Sequence, residues 1–249
     1  MDRVVQVCYY GAMIGEYADI NVNLRHWVPR VLAFLRESRE RVVYYDIGAN
    51  DGALSIPYLG DIDTLLAFEP GPAGDRFLDR VPEESRERVK LFRIALGSRR
   101  EYADLAVYSD DTFSSLYERP ERDLDQYRLQ RSGTVRVPVW PLDDFIVKEA
   151  LPAPDFVKID IEGAEVFALQ GMRATLSGTG AAILIEYSCI NTQNAGYDRR
   201  EILELLHEYG YAPKGLFRAE KLHLHEGADL DPCGIWNLLC LPPGFPADH

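Results

Sequence analysis

Residues 42–52 read Val-Val-Tyr-Tyr-Asp-Ile-Gly-Ala-Asn-Asp-Gly, and this stretch decides the fold. Its β-branched and aromatic start predicts a buried strand, and its glycines predict a tight turn into a helix. In a parallel sheet with helices on both faces, ligands bind at such a turn. The spacing is not Gly-x-Gly-x-x-Gly, because Asn50 and Ala53 interrupt it, and the turn lacks the lysine of a P-loop. A plain strand–helix turn is the alternative interpretation.

Outward from this stretch, short apolar runs alternate with amphipathic segments. Further strands are predicted over 64–68, 89–94, 155–159 and 181–187, and helices over 74–80, 164–176 and 199–209. This alternation is typical of βαβ units, and it predicts a mostly parallel sheet covered by helices on both faces.

The flanking segments differ from this pattern. Residues 22–41 predict an amphipathic helix before the first strand, and residues 211–241 predict antiparallel strands at a sheet edge. The polar segment 109–133 interrupts the alternation and is typical of a lid or a binding loop. Its stretch Ser114-Ser115-Leu116-Tyr117 can close over a ligand, and an ordinary exposed loop is the alternative interpretation. Because no linker is evident, we expect one compact domain, with residues 1–41 as an N-terminal helical extension of a domain over 42–249.

Composition excludes several classes of protein. The chain has 249 residues, of which 47% are hydrophobic, and a net charge of −13. It is therefore apolar enough to bury a full core, and too acidic for broad binding to nucleic acid or an anionic membrane. No apolar run approaches a membrane span, and the four cysteines are scattered without Cys-x-x-Cys. We therefore expect a cytoplasmic protein with reduced thiols, without nucleic-acid or membrane partners.

Glu69 ends the second predicted strand, beside the turn that follows Asp46. A carboxylate at this position can accept hydrogen bonds from both hydroxyls of a ribose, whereas the alternative is a surface glutamate before Pro70. Asp46 can hold a ligand amine or order the turn. Together these acids predict an adenosine-containing ligand. S-adenosylmethionine and NAD both remain open, and the missing third glycine favours S-adenosylmethionine.

A second acidic turn, Lys-Ile-Asp-Ile-Glu-Gly-Ala-Glu, spans residues 158–165. Along an extended strand Lys158, Asp160 and Glu162 point to the same side, and Glu186 ends the next strand at the same sheet edge. Asp160 or Glu162 can serve as a general base. Alternatively, Asp160, Glu162 and Glu186 can hold a divalent cation. We favour the metal-free base, because the sequence alone does not assemble a convincing ligand set. Lys158 either orients a reacting group or forms a structural salt bridge.

Five motifs occur together in a fixed order: Asp46-Ile-Gly-Ala-Asn-Asp-Gly, Phe68-Glu-Pro, Leu142-Asp-Asp-Phe, Lys158-Ile-Asp-Ile-Glu-Gly-Ala-Glu and Ile185-Glu186. Over roughly residues 42–210 the chain resembles the FkbM-type family of S-adenosylmethionine-dependent methyltransferases. The resemblance implies an α/β, Rossmann-like class I methyltransferase fold with a mostly parallel seven-stranded sheet. It also implies methyl transfer to a hydroxyl of a sugar, polyketide or other small acceptor.

The resemblance also assigns candidate roles to individual residues. The turn from Gly48 to Gly52 is similar to the loop at the methionine end of the cofactor, Glu69 to the ribose acid, and Ala95 to an adenine-edge contact. The full cofactor-binding prediction comprises Asp46, Gly48, Ala49, Asn50, Gly52, Glu69, Pro70, Ala95 and Asp160. The catalytic prediction comprises Asp160, Glu162 and Lys158.

Other functions stay open at this point. An N- or carboxyl-methyltransferase would share the fold, and a nucleotide-dependent oxidoreductase would share the first turn and its acid. The chain lacks the Gly-x-Gly-x-x-Gly and Tyr-x-x-x-Lys patterns of such an oxidoreductase. A ligand-binding or scaffolding subunit without activity is a third reading, and association into a homo-oligomer is left open.

Overall fold

The computed structural model describes residues 13–216, 224–226 and 235–241. The helices are α1 (Met13–Ser38), α2 (Ala73–Arg80), α3 (Glu121–Tyr127), α4 (Leu142–Glu149), α5 (Glu165–Gly171), α6 (Arg173–Thr179), α7 (Cys189–Asn194) and α8 (Arg200–Glu208). The strands are β1 (Val43–Ile47), β2 (Thr64–Phe68), β3 (Val89–Phe92), β4 (Ala95–Leu96), β5 (Glu101–Tyr108), β6 (Arg131–Trp140), β7 (Phe156–Ile159), β8 (Ala182–Ser188), β9 (Lys214–Leu216), β10 (Leu224–Glu226) and β11 (Ile235–Cys240). Within these ranges, no helix combines the length and the apolar character needed to cross a bilayer.

The main sheet has the strand order β10-β9-β11-β8-β7-β1-β2-β3. Its central strands β3, β2, β1, β7 and β8 are parallel, whereas β11, β9 and β10 pair antiparallel at one edge. This is the predicted Rossmann-like, mostly parallel arrangement. The sheet has eight strands rather than the seven that the family resemblance implies, because the short β10 extends the antiparallel edge by pairing with β9. The strand order reverses between β1 and β7, and ligands of such sheets bind beyond the carboxyl ends of the strands at this point.

The central strands β1, β2, β7 and β8 are mostly apolar and almost fully buried, because both faces of the sheet are covered. Alternate residues of β1 belong to different cores: Tyr45 belongs to the apolar cluster that includes residues of α5, α6 and α8, and Tyr44 belongs to the cluster that includes residues of α1. The amphipathic helix predicted over 22–41 is therefore present as α1, whose apolar side is buried through Trp27, Val28, Val31, Leu32 and Leu35. The division of the chain into an extension and a domain at residue 41 stays a prediction.

A second sheet, ordered β4-β6-β5, lies beside the carboxyl edge of the first. Strands β5 and β6 pair antiparallel, and the chain between them, residues 109–130, is here called the cap segment. The cap segment contains a short 3₁₀ helix, Asp111–Phe113, and α3. It is anchored to β5 by backbone hydrogen bonds between Ala106 and Ser115. The polar interruption seen in the sequence is therefore an ordered substructure, whose Phe113 and Leu129 form a small apolar cluster with Ala106 and Tyr108 of β5.

Candidate active site

The glycine turn after β1 is held where the ends of β1, β2 and β7 meet. The backbone N–H groups of Gly48 and Ala49 both donate to the Phe68 carbonyl, at 2.9 and 3.2 Å. Gly48 has φ +75°, and a Cβ at this position would lie 1.8 Å from the Asp160 carbonyl oxygen. Glycine is therefore required here both by its conformation and by the close approach of the chain after β7.

Lys158 lies beneath this turn rather than in the open site. Its Nζ donates to the Gly48 carbonyl at 2.6 Å and lies 3.3 Å from Asp46 Oδ1 and 3.8 Å from Asp160 Oδ2. Burial favours the neutral amine, but the attraction of Asp46 and Asp160 outweighs it and raises the pKa of Lys158. Lys158 is therefore a cation at neutral pH, and it compensates the charge of the fully buried Asp46.

The carboxylate of Glu69 joins the glycine turn to the start of α2. Its Oε2 accepts the Asn50 N–H at 2.9 Å, and its Oε1 accepts the Gly71 N–H at 2.7 Å. Burial raises the pKa of Glu69, although these two hydrogen bonds partly offset the rise by favouring the ionised form. Each oxygen keeps a lone pair for a ligand hydroxyl, so the geometry fits the predicted ribose contact.

An open cleft of about 580 Å³ lies along these carboxyl ends. Seven of the residues predicted for the site line this cleft: Gly48, Asn50, Glu69, Pro70, Ala95, Asp160 and Glu162. The other five are not among the residues that line it: Asp46, Ala49, Gly52, Lys158 and Glu186. Its remaining wall is partly apolar, through Phe68, Ile94, Leu96, Leu105 and Leu116.

The sequence reasoning missed two residues of the cap segment that line the cleft. Asp111 and Thr112 line the cleft, and the Asp111 carboxylate accepts a hydrogen bond from Asn50 Nδ2 at 3.3 Å. Ser114, predicted to close over the ligand, also lines it. The only signal in the sequence was the polar interruption itself, which indicates a lid without indicating which of its residues face inward.

Three carboxylates converge at the end of the cleft near β7 and β8. One carboxylate oxygen from each of Asp160, Glu162 and Glu186 lies within 4.8 Å of the others. Asp160 is partly exposed, whereas Glu162 and Glu186 are buried. The sequence prediction that these acids lie together is confirmed by this geometry. The set also offers hard oxygen ligands of the kind that divalent cations prefer.

Hydrogen bonds and an ion pair stabilise the carboxylates of the two buried acids, Glu162 and Glu186. Asn191 Nδ2 donates to Glu162 Oε2 at 2.7 Å and to Glu186 Oε2 at 2.9 Å, and Arg119 pairs with Glu162 Oε2. Burial raises the pKa of Glu162 to about 8, with Arg119 opposing the rise. The pKa of Glu186 is also raised, first by burial and then by the charges of Glu162 and Asp160. A carboxyl group with a pKa near neutrality suits a general base.

Glu165 has a structural role at the start of α5. Its carboxylate accepts hydrogen bonds from the backbone N–H groups of Ile161 and Gly163, at 3.0 to 3.2 Å, and from the Tyr197 hydroxyl. It therefore fixes the turn that carries Glu162, whose φ is +56°.

Comparison with known proteins decides the family. A family model described as the methyltransferase FkbM domain matches residues 46–213. The chain belongs to the FkbM methyltransferase family. It is 30% identical over 190 residues to the 2-O-methyltransferase NoeI of Sinorhizobium fredii, a match that covers 72% of this chain and 76% of NoeI. It is 27% identical over 174 residues to the hexuronic acid methyltransferase AglP of Haloferax volcanii, covering 70% of this chain and 65% of AglP.

Among solved structures, the methyltransferase FkbM from Methylobacillus flagellatus KT matches with a TM-score of 0.47 and 20% identity. The match covers 80% of this chain and 43% of that one. As an FkbM methyltransferase, the protein is an enzyme that uses S-adenosylmethionine. The cleft fits this cofactor, because its wall is apolar beside Phe68 and Ile94 and acidic at Glu69 and Asp160. An apolar wall suits a flat base, and acidic groups suit a ribose diol and a sulfonium cation.

Proposed function

We propose that this FkbM methyltransferase transfers a methyl group to a hydroxyl of a sugar, free or within a glycan. The single observation that carries the proposal is the position of Glu162, a buried acid at the end of the cofactor cleft with a pKa raised to about 8. Such a group can take the proton of an alcohol near neutral pH. The names of NoeI and AglP, a 2-O-methyltransferase and a hexuronic acid methyltransferase, support a sugar acceptor.

In this proposal the cofactor is held along the carboxyl ends of β1 and β2. Glu69 accepts hydrogen bonds from the ribose hydroxyls, and Ile94 and Ala95 contact the adenine edge. Gly48 and Asn50 approach the methionine end, and Lys158 keeps this turn in place from beneath. When bound, S-adenosylmethionine supplies a methyl group activated by a sulfonium.

The acceptor end of the cleft is assigned to the acids after β7. Glu162 removes the proton from the attacking hydroxyl, and the partly exposed Asp160 orients the acceptor or the sulfonium side of the cofactor. Such a base matters because an in-line displacement needs the attacking oxygen about 3–3.5 Å from the methyl carbon and free to lose its proton. The apolar side chains of Leu105 and Leu116, which line the cleft, restrict water within it.

A second mechanism is favoured by one observation, the convergence of Asp160, Glu162 and Glu186 within 4.8 Å. These side chains would hold a divalent cation, which lowers the pKa of a bound hydroxyl. Dialysis against a chelator, followed by single additions of Mg²⁺, Mn²⁺ and Ca²⁺, separates the two mechanisms. Undiminished turnover after dialysis supports the metal-free base, and loss of turnover that one cation restores supports the metal.

The test of the proposed function is transfer of a labelled methyl group from S-adenosylmethionine to a panel of acceptors. The panel contains neutral sugars, uronic acids and oligosaccharides, together with their 2-deoxy analogues and with amine and carboxylate acceptors. Label in a base-stable ether of a sugar supports the proposal. Label only in an amine or an ester shows an N- or carboxyl-methyltransferase instead.

We also propose a cytoplasmic location, because Cys189 and Cys240 are buried free thiols rather than disulfide partners. A homo-oligomer stays a prediction, which light scattering of the purified protein tests.

A further inference from the structure

The cap segment docks against the catalytic end of the cleft through specific polar contacts. Asn191 and Asn194 lie one turn apart on α7, so both face the same side. Asn191 Oδ1 accepts a hydrogen bond from Arg119 Nη1 at 3.2 Å, and Asn194 Nδ2 donates to the fully buried Asp123 at 2.9 Å. Ser115 Oγ donates to the Glu162 carbonyl at 2.6 Å. The cap segment is therefore joined to the turn that carries Glu162.

Arg119 is the cationic side chain that the cap segment inserts into this acidic region. Its guanidinium donates from Nε to the Phe113 carbonyl at 3.2 Å, from Nη1 to Asn191, and from Nη2 to Glu162 Oε2. The planar group also lies 5.0 Å from the centre of the Phe113 ring. The side chains of Arg119 and Glu162 are 3% and 9% exposed, so this is a buried ion pair. The planar guanidinium of arginine, which has several N–H donors, suits such a site better than the flexible ammonium group of lysine.

These contacts fix the orientation of the Glu162 carboxylate. Arg119 and Asn191 both donate to Oε2, and no residue in the described part of the chain donates to Oε1. One oxygen is therefore held by the protein, and the other keeps its lone pairs for a ligand. Groups from each neighbouring element face this carboxylate: Asp160 after β7, Glu165 on α5, Glu186 on β8 and Arg119 in the cap segment.

We propose that Arg119 is a positioning residue for methyl transfer, which holds Glu162 Oε2 so that Oε1 faces the acceptor hydroxyl. The inference rests on the proposed role of Glu162 as the base. It gives the cap segment a function beyond covering the cleft, because the base is oriented only when the cap segment is docked.

A double-mutant cycle on turnover tests this proposal. We expect Arg119→Met to lower kcat by about 100-fold, within the range that a misplaced general base accounts for. Affinity for S-adenosylhomocysteine should change less than about twofold, because the cofactor residues keep their contacts. Arg119→Lys keeps the charge and should recover part of kcat. Arg131→Met removes an exposed arginine that pairs with Glu118 in the same substructure, and it should leave kcat unchanged.

The decisive comparison uses the Glu162→Gln background. If Arg119 acts through Glu162, adding Arg119→Met to Glu162→Gln lowers kcat no further. An equal fall in both backgrounds would show a general structural role and overturn the proposal. If wild-type protein methylates no acceptor, the proposed function fails. The same double-mutant cycle, measured as free energies of unfolding in urea, then still decides whether the side chains of residues 119 and 162 are coupled. Additive effects of the two substitutions would contradict the contact on which the inference rests.

Discussion

Replacement of Gly48 by alanine tests the geometry at the centre of the site. Two separate costs are expected. A non-glycine residue at φ +75° is strained by about 1–2 kcal/mol. The new Cβ would also lie 1.8 Å from the Asp160 carbonyl oxygen, so the turn and the end of β7 must move apart by more than an ångström. Overpacking of this kind typically costs about 1–3 kcal/mol.

Gly180→Ala is the matched control for the conformational cost. Gly180 has φ +62°, and a Cβ there meets no atom within 4 Å. The two substitutions therefore share the strain of a positive φ and the change in unfolded-state entropy, and they differ in the contact with Asp160. We expect Gly48→Ala to lower the free energy of unfolding by about 1–3 kcal/mol more than Gly180→Ala.

Urea denaturation measures the stabilities, and calorimetric titration with S-adenosylhomocysteine measures the effect on the cleft. Because Gly48 and Asp160 both line the cleft, we expect Gly48→Ala to weaken binding at least about tenfold, or 1.4 kcal/mol. Gly180→Ala should bind as wild type does. If Gly48→Ala is no less stable than Gly180→Ala and binds equally well, the turn does not pass against β7 as described.

Three further predictions follow from the charged groups. Glu69→Ala should weaken S-adenosylhomocysteine binding by about 10- to 100-fold in calorimetry, since hydrogen bonds to charged groups contribute about 1.5–3 kcal/mol. An unchanged affinity would show that the ribose binds elsewhere. The rate of methyl transfer should increase as the pH rises through about 8, because Glu162 must be ionised to act as the base, and Glu162→Gln should abolish this rise. If Glu162→Gln lowers the rate at every pH but leaves the shape of the pH profile unchanged, the assignment is contradicted. Lys158→Met should lower the free energy of unfolding in urea by about 3–5 kcal/mol, because Asp46 is left buried without its cation. A decrease below about 1 kcal/mol would show that the ion pair is not needed for stability.

The parts of the fold and site that the sequence predicts are those set by local pattern. The β-branched and aromatic run of β1 and the glycines after it specify a strand and a turn within a dozen residues. Glu69 follows an apolar run in the same way. Because parallel strands end at one edge, these local features combine without knowledge of distant contacts, and the cleft lies where the pattern places it.

The parts that escaped prediction depend on tertiary contacts. The alternation of an extended strand places Lys158, Asp160 and Glu162 on one side, but β7 ends at Ile159, and Glu162 adopts φ +56°. Lys158, still within the sheet, is therefore buried beneath the glycine turn, whereas Asp160 and Glu162 reach the cleft. Arg119 is distant in sequence from Glu162, and nothing in its polar surroundings indicates that it is buried against that acid.

Calorimetric titration of the purified protein with S-adenosylhomocysteine and with NAD tests the central claim most directly. The claim is that the cleft between the glycine turn, Glu69 and Asp160 holds S-adenosylmethionine. We predict saturable one-to-one binding of S-adenosylhomocysteine with a micromolar dissociation constant, which Glu69→Ala weakens, and no binding of NAD. Binding of NAD without binding of S-adenosylhomocysteine would contradict the account.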